Sequence, residues 1–265
     1  ANAGKLDVTL NSRDGMTSAT AQGLISVSGG ITTQGGNITL GGGVAGDATY
    51  GAIRTDGNNA IAINGGTLDA AGGSIVMKGS ATNNYGVLLN TNTRLVTRND
   101  GVITLTGTAT NGTAIGVITS TITADRGAVT LNGNATAGGW GNYVVNGGIT
   151  TGAGAIAITG TGGVGSYLNG TAALTTTSGN ISVLGTAASG GTTGVNWLGS
   201  STLTTGSGNI AVQGTGGTGI ALTNATAVSA SGNINIQGTG LTYDGIRQNG
   251  GTTANIATGG AGAVS

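Results

Sequence analysis

Gly179-Asn180-Ile181-Ser182-Val183-Leu184-Gly185 returns as Gly208-Asn209-Ile210-Ala211-Val212-Gln213-Gly214, and again as Gly232-Asn233-Ile234-Asn235-Ile236-Gln237-Gly238. Stripped to two glycines enclosing two alternate aliphatics, the pattern also occurs at Gly23-Ile25-Val27-Gly29, Gly36-Ile38-Leu40-Gly42, Gly73-Ile75-Met77-Gly79, Gly101-Ile103-Leu105-Gly107, Gly127-Val129-Leu131-Gly133 and Gly154-Ile156-Ile158-Gly160. Nine matches establish internal repetition. A period of two places the aliphatics on one face of a strand and small polar residues such as Thr104, Thr130, Ser182 and Asn235 on the other. We call this the motif strand.

Two further segments accompany it in every complete repeat. A closing strand, centred on Ile31, Leu68, Leu95, Ile122, Ile149, Leu174, Leu203 and Val228 and commonly followed by Thr, lies a short and nearly constant step before the first motif aliphatic. A return strand follows the motif strand and opens with glycine and then apolar residues, at Gly86-Val87, Gly116-Val117, Gly141 to Val145, Gly165 to Leu168, Gly194 to Leu198, Gly219 to Leu222 and Gly245-Ile246. The order motif, return, closing never reverses. Asn-Gly pairs such as Asn132-Gly133 and Asn146-Gly147 are hairpin signals. A hairpin array has no reason to repeat at a fixed interval, whereas a coil returning to its starting side must. The expected fold is therefore all-β, a right-handed parallel β-helix (β-solenoid) with three strands per rung and about ten rungs of roughly 24–29 residues.

Composition supports the coil. Glycine supplies 58 of 265 residues, charged groups only 6%, and there is no Pro, Cys, His or Phe. A stacked rung is hydrogen-bonded on both sides, so proline would break the ladder almost anywhere. Like charges one rung apart repel, and no charged side chain occurs from Gly127 to Tyr243. The coil is expected to be one continuous domain, with irregular rungs in residues 1–74 and regular rungs in 75–265. In the irregular part Ile25 and Ile38 are separated by only about half a repeat, and so are Ile61 and Ile75. Either Ile25 and Ile61 serve as return strands of ordinary rungs, with residues 41–58 inserted, or the rod narrows there.

The runs Gly36 to Leu40, Gly179 to Val183, Gly208 to Val212 and Gly232 to Ile236, all beginning Gly-Asn-Ile, with Leu-Thr-Thr before two of the glycine turns, resemble the repeat region of filamentous-haemagglutinin-like exoproteins and related giant autotransporter or two-partner-secreted adhesins. The resemblance spans nearly the whole chain. It implies a bacterial origin, an extracellular or cell-surface location and a role in adhesion or biofilm. The family's amino-terminal secretion domain and outer-membrane barrel have no counterpart in these residues, which leaves a fragment of a long passenger or a small subunit that polymerises by itself.

The function expected is a non-enzymatic structural rod of a surface fibre or adhesin, self-associating end to end or laterally, with a host or matrix glycan as a further partner. Zero net charge gives no footprint for nucleic acid, and no apolar run is long enough to insert in a membrane. No cofactor or metal is expected. A polysaccharide-degrading β-helix would need converging carboxylates, and the eight Asp are scattered. Asp47 and Asp56 read as turn residues. Thr32, Thr123, Thr150, Thr175 and Thr204 form a partial outward column, interrupted by Asp69 and Val96, which raises ice binding as an alternative. All seven aromatics, Tyr50, Tyr85, Trp140, Tyr143, Tyr167, Trp197 and Tyr243, fall in or just before the return strand, beside the turns that vary most in length. Variation confined to one edge of a repeat array marks a binding face, so these seven are the candidate ligand or lateral-contact residues. The competing reading is that the rings fill wide corners of the coil.

Overall fold

A computed structural model describes residues 4–12, 23–41, 52–188, 192–250, 253–259 and 262–265. Each rung delivers one strand to each of three parallel sheets. The motif sheet runs through Val8–Asn11, Ile38–Gly41, Ile75–Ala81, Ile103–Ala109, Val129–Ala135, Ile156–Gly162, Ile181–Ala187, Ile210–Gly216 and Ile234–Gly240. The return sheet runs through Ile25–Val27, Ile61–Asn64, Val87–Asn90, Ile115–Ile118, Trp140–Val145, Val164–Asn169, Thr193–Trp197, Thr218–Leu222 and Ile246–Gln248. The closing sheet runs from Ile31–Thr32 to Asn255–Thr258 through Thr67–Asp69, Arg94–Val96, Thr121–Ala124, Gly148–Thr151, Ala173–Thr176, Thr202–Thr205 and Thr226–Ser229. The chain is thus a β-solenoid, stacked nine strands deep along each of these paths, or about 40 Å at the usual interstrand spacing.

Register turns the repeat into columns. Ile75, Ile103, Val129, Ile156, Ile181, Ile210 and Ile234 stack in one buried line, with Met77, Leu105, Leu131, Ile158 and Val183 in the next. Each fully buried aliphatic contributes about 1.5–3 kcal/mol. Inner positions three and four of the motif strand are small. At Gly160 an added β-carbon would overlap the carbonyl oxygen of Gly165, where the chain comes back as the return strand, and Gly107, Gly133, Gly185 and Gly214 meet the same obstacle. The second glycine of the motif therefore exists because two sheets touch backbone to backbone at that corner. Its first glycine has another cause: a β-carbon on Gly127 would strike the carbonyl of Gly101 one rung away.

The near-constant closing-to-motif turn is built on side chains. One residue after the outward position of the closing strand, the chain places a buried hydroxyl at Thr33, Thr97, Thr151, Thr176, Thr205 and Ser229. Thr205 Oγ1 donates to Gly179 O (3.1 Å) and accepts from Gly208 N (3.0 Å); Ser229 Oγ does the same with Gly208 O (2.9 Å) and Gly232 N (2.8 Å). On the outside of the turn the motif's Asn forms a ladder. Asn180 Oδ1 accepts Asn209 N, Asn209 Oδ1 accepts Asn233 N, and Asn233 Oδ1 accepts Ala263 N.

The irregular rungs resolve by register. Ile25 and Ile61 align with Val87 in the return sheet, so the Gly23 to Gly29 match is a return strand and not a motif strand. The first true motif strand is Val8–Asn11, paired with Ile38–Gly41 and lacking the leading glycine. Extra length sits inside the motif strand and not across residues 41–58. Ile38 to Leu40 align with Ile75 to Met77, and Ala52 to Arg54 rejoin the same strand opposite Gly79 to Ala81. One rung earlier the chain departs at the same point, because Ser12 N donates to Gly41 O and Gly23 N to Ile53 O. One closing position also shifts: Leu203 aligns with Ala227, which is buried, so Val228 faces outward above Thr204.

Candidate binding face

The outward column of the return sheet reads Ala62, Leu88, Gly116, Tyr143, Tyr167, Asn196, Ala221 and Arg247. Strand alternation points all of these away from the core. Tyr143 and Tyr167 are direct register partners, and their rings stack with centroids 5.1 Å apart and planes 8° from parallel. Trp140 leans over both, 4.8 Å from Tyr143 and 6.0 Å from Tyr167 at tilted angles. Tyr85 extends the cluster one step the other way, its ring lying over Gly116, where a β-carbon would collide with it. Four of the seven predicted aromatics are thus gathered into one patch spanning four rungs.

The patch is part packed and part open. Burial pushes the Tyr85 phenol above its ordinary range, with Tyr143 nearby adding to the effect, and burial does the same to Tyr143 with Tyr167 adding to it. Asn169 Nδ2 donates to Tyr167 Oη at 2.8 Å, and its Oδ1 accepts Gly170 N at 2.7 Å, which fixes that ring from the side. Trp140 nevertheless stays 38% exposed. At its register position the next rungs carry Val164, Thr193 and Thr218, all buried.

Trp197 does not belong to this face. It stacks inward between Leu168 and Leu222, is fully buried, and its indole N–H donates to Ser201 O at 3.1 Å. The reason is parity: Trp197 is one residue beyond the outward Asn196, so it shares the core column of Val117 and Val144. Tyr243 is 70% exposed and remote in register, beside the turn before Ile246–Gln248, and Tyr50 lies outside the described residues.

Sequence reasoning missed Asn142. It occupies an inward corner in line with Ile115 and Ser166; its Nδ2 donates to Thr159 O at 2.8 Å, while its buried Oδ1 has no partner among the described residues. Ser166 Oγ likewise donates to Leu184 O. Both substitute polar groups for aliphatics directly beneath the aromatic patch, and only the register reveals it.

The charged groups pair along the rod. Arg98 meets Asp69 at 2.9 Å and Arg126 meets Asp100 at 2.9 Å, each across one rung, and the Arg126 hydrogen bond holds the Asp100 carboxyl below its usual range. Asp56 is bound locally by Asn58 and Arg54, a turn arrangement. Among the described residues no three Asp, Glu, His or Cys side chains come together as a metal site, and Asp47 lies outside them. The outward Thr column holds in register from Thr123 through Thr150 and Thr175 to Thr204, between Val96 and Val228. No protein-family model, curated protein or solved structure matches the chain.

Proposed function

We propose that the chain is a non-enzymatic structural rod of a bacterial surface fibre or adhesin, of the filamentous-haemagglutinin-like kind, working outside the cell and stacking head to tail with identical rods. The observation that supports this reading is that, among the described residues, the strands at each extreme of the stack are paired for the most part on one side only. Strand Ile234–Gly240 is paired along its whole length with Ile210–Gly216, but among the described residues its other edge meets only the short segment around Val264. At that end Leu241, Ile246 and Val264 are exposed, and at the other Leu6, Leu10 and Leu24 are. Parallel edges flanked by apolar side chains are templates for another strand. A stiff rod with neutral sides and adhesive ends builds length, which is what a surface fibre requires.

Electron microscopy with light scattering on the purified chain tests this. Filaments with the axial repeat of one rod are the expected result. Monodisperse single rods at every concentration overturn head-to-tail assembly.

A further inference from the structure

We propose that Trp140, Tyr143 and Tyr167, with the Asn196 amide, form a binding site for a neutral saccharide. Three observations lead there. Trp140 is held out of the core at a register position where its neighbours are small and buried, so the fold does not demand a large ring. The outward column then steps down in size from Tyr167 to Asn196 to the buried Ala221, so the side of Tyr167 not stacked on Tyr143 is bordered by a smaller side chain. The Asn196 side chain is half-buried, and among the described residues its amide makes no hydrogen bond.

An aromatic wall beside an unused donor–acceptor pair suits a ligand that offers both a C–H face and hydroxyls. The surroundings select against charge: nothing ionic lies between Gly127 and Tyr243, and Arg247 is farther along the column, beyond Ala221. An anionic glycan would find no cation to replace its lost water. A folded protein partner is a poorer fit. Stable interfaces bury about 800 Å² per partner, while each ring here has at most about 150–250 Å² to offer and the rings already cover one another. Asn169 acts as a positioning residue through its bond to Tyr167 Oη. The proposal is independent of end-to-end stacking, since a single rod carries the whole site.

The test titrates the chain with the neutral hexasaccharides cellohexaose, laminarihexaose, maltohexaose and hexa-N-acetylchitohexaose, with heparin and polygalacturonate as charged controls. The readout is tryptophan emission, from the exposed Trp140 above the signal of the buried Trp197. At least one neutral hexasaccharide should change the emission saturably. That change should vanish in W140F and weaken about tenfold or more in Y167A and N196A, with the urea midpoint of N196A unchanged. Should Y167A fold poorly, N196A carries the test alone. Silence from all four neutral probes, equal response to the charged controls, or an emission change that follows protein concentration without sugar, as in rod-to-rod contact, would each overturn the proposal.

Discussion

Thr204 and Thr205 are adjacent and identical, yet the fold puts them on opposite sides of the wall. Thr204 is half-exposed in the outward column, whereas Thr205 is buried and its hydroxyl serves both Gly179 O and Gly208 N. Thr205→Val keeps the volume and removes both hydrogen bonds. It strands a buried carbonyl and a buried N–H at about 1–3 kcal/mol each, so the expected loss is roughly 2–6 kcal/mol. Thr204→Val should stay within about 0.5 kcal/mol of the parent, as exposed β-branched exchanges do. Thr205→Ser retains the oxygen and loses one methyl, about 0.8 kcal/mol, and Ser229 shows that serine makes the same pair of bonds one rung on. Urea unfolding followed by circular dichroism, with the slope checked for constancy, measures all three. If Thr205→Val and Thr204→Val prove equally mild, the buried hydroxyl does not brace the turn, and the constant turn length has some other cause.

Trp197→Ala should cost about 3–5 kcal/mol by opening a cavity in the return-sheet column, against little for Trp140→Ala, and paired thermal melts distinguish them. Gly160→Ala drives a methyl into the Gly165 carbonyl and should destabilise by about 1–3 kcal/mol or more; unchanged urea midpoints would show that the two sheets can part at that corner. Phenolate absorbance during alkaline titration should show Tyr85 and Tyr143 ionising above the ordinary tyrosine value of about 10. Because their folded pKa values are raised, their contribution to stability is complete below the unfolded value and is lost as pH rises through the folded one. Tyr143→Phe should remove one of the two late transitions.

What was legible in the sequence follows the parity of strands. The motif glycines and aliphatics recur because each is dictated by a contact with the rung above or the neighbouring wall, as Gly127 against Gly101 and Gly160 against Gly165 show. Repetition of a physical cause makes repetition of a letter. Where the cause is a single corner, the letter is free, and reading fails. The repeat leads one to expect an inward aliphatic at Val228, but Ala227 fills the site and shifts the register by one. Segment position groups Trp197 with the outward rings, although its place beside Asn196 assigns it to the core. In residues 1–74 the missing cue was the first motif strand, since Val8–Asn11 has no glycine at its head.

The same logic locates function. Inward columns, corner glycines and turn hydroxyls are each tied to two or three neighbours, so a change there is answered by loss of the stack. Outward positions of the return sheet are tied less, Gly116 beneath the Tyr85 ring being an exception, and one column accommodates Leu88, Gly116, Tyr143, Asn196 and Arg247 in turn without altering the backbone ladder. A coil that must repeat to fold can vary its chemistry only on these surfaces, so an unusual side chain there reports a demand from outside the fold. Trp140 lies outside that column, at a register position otherwise filled by buried Val and Thr, yet it is exposed above two stacked tyrosines and so reports the same kind of demand. Its removal should therefore leave the rod standing and change what the rod holds.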